Sequence, residues 1–336
     1  MNVVLASARI TLKQHRFEVG VGALAAIALS VWALSIGIRT GMITVPPGCF
    51  DMWLSAGPDG AGECAASVRA WGLILAEEGT MVIEAMAYVP FAIGLVAGVP
   101  IVARELESRT AQTAWSLNGS RIRWLLRQLA PVLLLLGASV TVLALTTAAL
   151  EADRVLWAYS PVEDLGQYGP LIATRAFGAF GLGLLVGALM GRTLPAFVLG
   201  AVLTITLSFG MGLAREAWLD RVDPEVVGKS SAGSGDLLPG AVITGVAWRT
   251  PDGEQISIVE ASALAHAAGA AQPASEDVQD GPAIAWLEQH GYVEVAIGVT
   301  RDMALAWGLY DALGYGLVGS ASIAGTILIV RQKRPA

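Results

Sequence analysis

Charged residues are scarce in this sequence: they make up 15% of its 336 residues, whereas 54% are hydrophobic. A soluble protein of this length usually carries about 25% charged residues. Lysine is rarer still, since only Lys13, Lys229 and Lys333 accompany 18 arginines. The mean hydropathy is +0.61. These shortages argue against a soluble globular protein and favour an integral membrane protein.

Residue types that bind metals or perform catalysis are also scarce. The three histidines, His15, His266 and His290, are far apart in the sequence, and none has a second ligand at metal-binding spacing. Residues 223–230 resemble a phosphate-binding loop only in part, because Asp223 stands where that loop needs a glycine. We therefore expect no metal site, no catalytic residues and no ATP hydrolysis by this chain, which we interpret as a non-enzyme.

Long apolar runs are what the sequence has in abundance. A membrane-spanning helix needs about 20 mostly apolar residues, and six segments supply them. The first segment has no clear small-residue cleavage site after it, so we interpret it as a retained span and not as a signal peptide. The sequence predicts an all-α integral membrane protein with spans at residues 19–38, 81–103, 129–150, 171–191, 194–214 and 308–330.

The distribution of charge predicts the orientation of these six spans. The side that holds both termini has 12 basic and three acidic residues, and the opposite side, counted together with the outer ends of the spans, has nine basic and 25 acidic residues. A basic bias in short loops marks the cytoplasmic side of a membrane. We therefore expect both termini in the cytoplasm. The predominance of arginine over lysine is typical of a GC-rich bacterial genome, so we expect the spans in a bacterial plasma (inner) membrane.

The segments between the spans follow from this topology. Residues 242–248 and 255–259 flank Pro251-Asp252-Gly253, which predicts a β-hairpin, and residues 283–290 have a helical pattern. An extracytoplasmic α+β segment is therefore expected between spans five and six. The predicted segments are an interfacial helix at 1–18, extracytoplasmic loops at 39–80 and 151–170, an extracytoplasmic domain at 215–307, a cytoplasmic loop at 104–128 and a cytoplasmic tail at 331–336.

The two cysteines fall in the first extracytoplasmic segment. Cys49 and Cys64 have 14 residues between them, and the outer face of the membrane is oxidising. We expect a disulfide that is worth roughly 3 kcal/mol in the chain-entropy model. Two free thiols are the alternative.

The cytoplasmic loop after the second span has two interpretations. Residues 104–117 have the pattern of a short polar helix that ends at Asn118-Gly119, and Ser120 has the character of an N-cap for the next helix. Glu105 and Arg109 are four residues apart and could pair on one helical face. The loop is either a solvated connector, which its spacing alone favours, or a docking helix for a partner.

The same loop carries a resemblance to a known family. Residues 98–107 read GVPIVARELE, and Ala114-Trp115 and the run SRIRWL at 120–125 follow them. This pattern resembles a family of six-span bacterial ABC transporter permeases, the membrane subunits of ABC-2-type exporters common in GC-rich actinobacteria. Further similar segments follow the same order, at residues 13–18, 191–196, 292–307 and 331–334.

This resemblance implies a set of partners and a site. Such a permease pairs with a second copy or a paralogue and binds separate ATPase subunits, which hold ATP and magnesium, so this chain itself has no cofactor. Membrane lipid is the other expected partner, and nucleic acid is not one. The loop after span two is then a coupling helix, formed by Arg104, Glu105, Leu106, Glu107, Arg109 and Trp115.

The resemblance also implies that spans two and five line the transport route. Candidate residues there are Phe91, Phe197, Phe209 and Met211, for which ordinary packing or lipid contact is an equally good interpretation.

Ionisable groups and small residues within the spans give further candidates. Glu84 and Asp311 are ionisable groups about three residues inside their spans, which makes them candidates for a role in substrate passage or gating. At that depth both can still reach the lipid headgroups. Gly183, Gly187 and Gly191 repeat every four residues and predict a close-packing face within the molecule.

Three classes of function are compatible with these observations. The leading hypothesis is the permease subunit of an exporter for hydrophobic or amphipathic cargo, such as a drug, an antibiotic or a lipid. The alternative is a membrane sensor or immunity protein that uses residues 215–307 to bind a ligand without transport. A membrane enzyme is the third class, and the lack of a nucleophile, base or metal set argues against it.

Overall fold

The fold is given by a computed structural model, in which α-helices predominate. Residues 1–12, 111–119 and 333–336 are not described, so the predicted interfacial helix lies mostly outside the description and Trp115 lies wholly outside it. The structure describes residues 13–46, 49, 62, 64–110, 120–155, 167, 169–222, 225–229, 241–270 and 281–332.

Helices form the first two thirds of the chain, and a small sheet interrupts them before the last long helix. The helices are α1 (Arg16–Gly41), α2 (Cys64–Leu73), α3 (Thr80–Met86), α4 (Val89–Glu107), α5 (Arg121–Val155), α6 (Leu171–Met190), α7 (Thr193–Leu219), α8 (Ile258–Ala267), α9 (Gly281–Gln289) and α10 (Arg301–Gln332). The strands are β1 (Glu225–Lys229), β2 (Val242–Arg249), β3 (Gln255–Ser257) and β4 (Val293–Val299).

Six helical segments of the described chain are long and apolar enough to cross a membrane. They coincide with the six predicted spans, but the second one is longer than predicted. It runs from Cys64 to Glu107, and a π-helical turn at Ile74–Gly79 joins α2 to α3. The expectation of a loop up to residue 80 was therefore wrong, because Val68, Trp71 and Leu75 bury one face of a helix there.

Three helices, α4, α6 and α10, form the most closely packed part of the bundle, with α6 between the other two. Glycines allow this approach. A side chain at Gly98 of α4 would collide with the carbonyl group of Phe180 on α6, and one at Gly181 would collide with Gly319 on α10. The backbones thus touch directly, which is a common way for helices to pack in membranes.

The remaining long helices lie around these three. Helix α1 packs on α5 and α4, and α7 packs on α6 and α4. At the far end of α1, Arg39 forms an ion pair with Glu78 of the π-helical turn, and its Nη1 donates to Glu78 Oε1 over 2.8 Å. Cys49 and Cys64 form a disulfide, with their Cα atoms 5.3 Å apart.

The four strands form one antiparallel sheet in the order β1-β4-β2-β3. The predicted hairpin is present, with Ala247 opposite Ser257, but its second strand ends at Ser257 because helix α8 begins there. Helices α8 and α9 cover Trp248, which is 2% exposed. A second apolar cluster joins the sheet to the bundle through β2, β4, α7 and α10, and includes Val242, Val299, Trp218 and Trp307.

Candidate functional site

A polar cavity of about 300 Å³ lies between the segment that joins α3 to α4 and the helices α6, α7 and α10. Its charged lining residues come from three different helices: Arg175 from α6, Arg215 from α7 and Asp311 from α10. Tyr88, Ser208 and Tyr315, whose side chains carry hydroxyl groups, line it as well.

An ion pair between α6 and α10 forms one wall of this cavity. Arg175 Nε lies 3.5 Å from Asp311 Oδ2, and the two side chains are 11% and 4% exposed. The Arg175 guanidinium carbon is 5.8 Å from the centre of the Tyr315 ring, which suits a cation–π contact. Asp311 and Tyr315 are one helical turn apart, so both lie on the buried face of α10.

The structure gives Asp311 a partner that the sequence did not predict. The sequence suggested a carboxylate near the start of the last span that reaches the headgroups, and this depth stays a prediction. Helix α10 begins at Arg301, so Asp311 lies about 15 Å along the helix. Its side chain is buried against Arg175, because pairing within the protein offsets part of the cost of placing a charge there.

A second, apolar cavity of about 540 Å³ adjoins the first one, between α4 and α7. Phe91 and Leu95 of α4 line one side, and Phe209 and Leu213 of α7 are among the residues of the other. Its volume falls within the range of about 300–1,000 Å³ that is usual for ligand sites. The two cavities share Tyr88, Ser208 and Gly212, so α7 forms a common wall.

Four of the six predicted pathway residues line one of the two cavities, and two do not. Phe91 and Phe209 line the apolar cavity, while Met211 and Asp311 line the polar one. Phe197 packs against the buried cluster of α4, α6 and α10, and Glu84 is exposed on α3. Neither of these two is among the lining residues of the two cavities.

Sequence reasoning missed Arg175, Arg215, Tyr88 and Tyr315. A usable signal was present, because the predicted topology places both arginines and Asp311 near the same membrane face. Opposite charges near the ends of different spans are candidates for pairing, since an unpaired charge is costly there.

The opposite end of the bundle collects basic residues, and we call it the basic end. Arg104 Nη1 lies 3.2 Å from Glu18 Oε1, and Gln128 Nε2 donates to Gln14 Oε1 over 3.4 Å. These contacts join the ends of α1, α4 and α5. The described basic residues here are Lys13, Arg16, Arg104, Arg109, Arg121, Arg123, Arg127, Arg192 and Arg331.

The described coupling residues lie at this basic end. They belong to the end of α4 and do not form a separate helix. Arg104, Glu105, Leu106 and Glu107 form the last turn of α4. Arg109 follows in the left-handed conformation with φ of 58°, which ends the helix. The helix predicted over 104–117 is therefore interrupted at residues 108–110, and Arg109 does not share a helical face with Glu105. Residues 111–117 of that prediction lie outside the described residues. Glu105 instead accepts a hydrogen bond from the Thr110 hydroxyl.

Glu107 connects this turn to helix α7. Its Oε2 accepts a hydrogen bond from the backbone N–H of Thr193 over 2.9 Å and one from the Thr193 hydroxyl over 2.6 Å. Thr193 is the first residue of α7, whose N-terminal N–H groups need acceptors and whose dipole favours a negative charge. The end of α4 therefore caps the helix that lines both cavities.

Comparison with known proteins gives one family match, over residues 49–215. The sequence profile described as "ABC-2 membrane transporter related" matches residues 49–215, a range that contains α2 to α6 and most of α7. No curated protein and no solved structure matches the chain. With six helices apolar enough to span a membrane, the chain is a multi-pass membrane protein whose residues 49–215 form an ABC-2 membrane transporter related domain, as in an ABC-2-type permease.

Proposed function

We propose that this chain is the membrane-spanning subunit of an ABC exporter in a bacterial plasma membrane. It moves hydrophobic or amphipathic cargo outwards and works with separate ATPase subunits, which bind and hydrolyse ATP. The ATPase binds at the basic end, where the loop of residues 104–120 faces the cytoplasm. A second copy of the chain or a paralogue completes the transporter.

The hydrogen bonds of Glu107 to Thr193 are the observation that carries this proposal. The loop after α4 would receive force from the ATPase. Because Glu107 ties the start of that loop to the first residue of α7, a displacement of the loop moves α7. Helix α7 lines both cavities, so the same displacement changes the shape of the space that would hold cargo.

The outer face of α7 supports the pairing with a second permease. Leu194, Val198, Ile205 and Phe209 are each at least 60% exposed. In a membrane this face contacts lipid or another apolar protein surface. A second permease against α7 would cover this face, including Phe209, which also lines the apolar cavity.

Affinity purification of the tagged full-length chain from its native membranes tests the proposal. We expect an ATPase subunit to copurify, and we expect Glu107→Gln to change ATP turnover in the complex while leaving membrane insertion and ATPase binding intact. Glu288→Gln, an exposed position on α9, is the matched control and should leave turnover unchanged. The proposal fails if no ATPase copurifies under conditions that preserve the complex.

Cysteine labelling of intact cells tests the orientation. In a Cys49→Ser/Cys64→Ser background, a cysteine at Ser108 should be protected from a membrane-impermeant maleimide. A cysteine at Glu254, in the exposed turn between β2 and β3, should be labelled. The reverse pattern would place the basic end outside and would contradict docking of a cytoplasmic ATPase.

The sensor alternative rests on the sheet with α8 and α9, which has an apolar core of its own around Trp248 and Leu287. A sensor requires no ATPase, so the same purification separates the two functions.

A further inference from the structure

We infer that the apolar cavity between α4 and α7 binds an uncharged lipophilic molecule that carries a hydroxyl or carbonyl group, and that the Thr204 hydroxyl donates a hydrogen bond to the oxygen of that group. This inference rests on the proposed function, because it names the class of cargo. It needs no ATPase, however, and its binding step is tested on the purified chain alone.

The Thr204 side chain is a buried polar group that the protein leaves without a partner. Thr204 lines the apolar cavity and is 3% exposed, and its Oγ1 has no hydrogen-bond partner among the described residues. Threonine hydroxyls in helices commonly donate to a carbonyl group of the preceding turn. Thr206 of α7 does so to Val202 over 2.8 Å, and Thr326 of α10 does so to Ser322 over 2.9 Å.

A ligand oxygen in the cavity would supply the missing partner. Burial of a hydroxyl without a hydrogen bond is unfavourable, so binding of a molecule with an oxygen acceptor is favoured over binding of a plain hydrocarbon. Threonine adopts two side-chain rotamers in a helix, which lets the Thr204 hydroxyl turn towards such an acceptor.

The position of Thr204 favours an uncharged ligand. Thr204 lies near the middle of α7, about 17 Å from its first residue. Leu95 of α4 lies close by, since a Cβ atom at Gly200 would be 3.1 Å from its side chain. Ala201 and Ile205 continue this uncharged lining. A charged group near the middle of a span is costly, whereas a hydroxyl or carbonyl group with a partner is tolerated.

The charged residues lie at the other end of the cavity and balance one another. Glu216 lines the apolar cavity about 18 Å beyond Thr204 along α7. The adjoining polar cavity adds Arg175, Arg215 and Asp311, of which Arg175 and Asp311 are within ion-pair distance. Two positive and two negative charges sum to zero, so this end of the site attracts neither an anion nor a cation by net charge.

Photolabelling of the purified full-length chain in an uncharged detergent tests the class of ligand. The label is a 16-carbon alcohol with a diazirine in its chain, and unlabelled probes of the same chain length compete at equal mole fraction in the micelle. Hexadecanol should compete best. Hexadecane, which lacks the hydroxyl, should compete about tenfold more weakly, and the charged probes palmitate and hexadecyltrimethylammonium should do so at least as weakly.

Two results of this competition would overturn the inference. One is competition by hexadecane or by a charged probe that equals that of hexadecanol. The other is labelling of peptides outside residues 88–95 and 201–216, which contain the lining of the apolar cavity.

A matched pair of threonine variants tests the hydrogen bond. Thr204→Val removes the hydroxyl with little change of shape, so hexadecanol should compete about tenfold more weakly and hexadecane should be unaffected. Thr206→Val, at an exposed position that does not line the cavity, should keep the preference of the wild type. A merely structural role of Thr204 would change the unfolding temperature but not this preference. A folded Thr204→Val that keeps the preference would contradict the inference.

A pair of glycine variants locates the site independently, and it decides if Thr204→Val does not fold. Gly212 lines the apolar cavity, and a Cβ atom there would have nothing within 4 Å. Gly212→Leu should therefore occupy part of the cavity and reduce labelling about tenfold. Gly210 also faces open space but does not line the cavity, so Gly210→Leu should leave labelling unchanged. Equal labelling of both folded variants would reject this cavity as the site.

Membrane vesicles that contain the copurifying ATPase separate cargo from a resident lipid of the same chemistry. ATP should reduce photolabelling of the cavity if the ligand is cargo, and labelling that ATP does not change would reject the cargo assignment. These outcomes are separable from the proposed function. Copurification of an ATPase without preference for the alcohol would keep the permease and reject the ligand class, and preference without an ATPase would keep the site and reject the exporter.

Discussion

Helices α6 and α7 follow one another in the chain and look alike in sequence, yet they are packed very differently. Their most apolar stretches have mean hydropathies of 1.7 and 2.0, and 67% of the first but only 17% of the second is buried in the protein. The turn between them is short, since α6 ends at Met190 and α7 begins at Thr193. Hydropathy therefore predicts that both helices span a membrane but not which of them forms the core.

Small residues explain the difference. Gly178, Gly181 and Gly187 of α6 lie so close to α10 or α4 that an added Cβ would meet Tyr315, Gly319 or the Val99 carbonyl group. Gly210 and Gly212 of α7 face open space. Because lipid chains are as apolar as leucine, close packing and not hydrophobicity selects the neighbours of a helix in a membrane. Helix α6 is thus a fixed element, and α7 keeps a face for lipid, cargo or a second subunit.

Matched leucine substitutions should show this contrast most strongly. Leu184 of α6 is fully buried, and Leu194 of α7 is 75% exposed. Leu184→Ala leaves a cavity in the core and should reduce the free energy of unfolding by about 4 kcal/mol, while Leu194→Ala should change it by less than about 0.5 kcal/mol. Denaturant unfolding in micelles measures both. Equal losses would mean that α7 is buried against something in solution.

The ion pair between α6 and α10 should be nearly as important. Asp311→Ala leaves the Arg175 guanidinium buried without this carboxylate and should cost about 3 kcal/mol, whereas replacing both residues by apolar ones should cost much less. Asp302→Asn, at an exposed position on the first turn of α10, is the control for loss of one carboxylate. If Asp311→Ala unfolds like the wild type, the pair does not hold α6 to α10.

Glycine substitutions should change the free energy of unfolding less than these two, and in opposite directions in the packed core and on α7. Gly98→Ala places a methyl group against the Phe180 carbonyl group and should destabilise the protein by about 2 kcal/mol through overpacking. Gly210→Ala meets nothing and should stabilise α7 by up to about 1 kcal/mol, because alanine loses less backbone entropy in a helix than glycine does. A stabilising Gly98→Ala would mean that α4 and α6 can separate at little cost.

Features that depend on local patterns were predictable from the sequence. The spans follow from apolar runs, and the hairpin follows from Pro251-Asp252-Gly253 between two strands. Gly191 shows the limit of such patterns. Its spacing placed it on a packing face with Gly183 and Gly187, but it has φ of 61° and ends α6 as a left-handed cap. Gly183 and Gly187 do pack within the molecule, both against Val99.

Features that depend on distant residues were not predictable in the same way. Arg175 and Asp311 are 136 positions apart, and no local pattern joins them. Strand β4 was missed because it pairs with β1 and β2 and lies in a segment interpreted as the approach to the last span. Helix α8, in contrast, had a local signal: Ser257 and Glu260 form a capping box, which the Ser-x-x-Glu spacing predicts.

Helix α1 is little buried, as α7 is: 28% of its most apolar stretch lies inside the protein. Its first turn, however, packs at the basic end. His15 there is 4% exposed, and its Nε2 has no hydrogen-bond partner among the described residues. Burial lowers the pKa of the His15 imidazole below its usual value, while the nearby carboxylates of Glu18 and Glu105 oppose this shift and Arg104 adds to it. The folded state thus favours neutral His15.

Lowering the pH should therefore loosen the start of α1. We expect this to be the smallest of the four predicted effects. Folding lowers the pKa of His15 below its ordinary value of about 6.5. The stability that neutral His15 contributes is therefore complete above that value and is lost as the pH falls through the folded-state pKa. The Val19 amide, which donates to the His15 carbonyl oxygen over 2.9 Å, should lose protection from hydrogen exchange between pH 7.5 and 5.5, after correction for the intrinsic rate.

His15→Gln should abolish this pH dependence, and His290→Gln, at an exposed position, should retain it. A pH dependence that survives in His15→Gln would assign the loosening to another group. Loss of protection confined to the first turn would mean that a peripheral helix can open at the basic end while the packed α4–α6–α10 core stays closed.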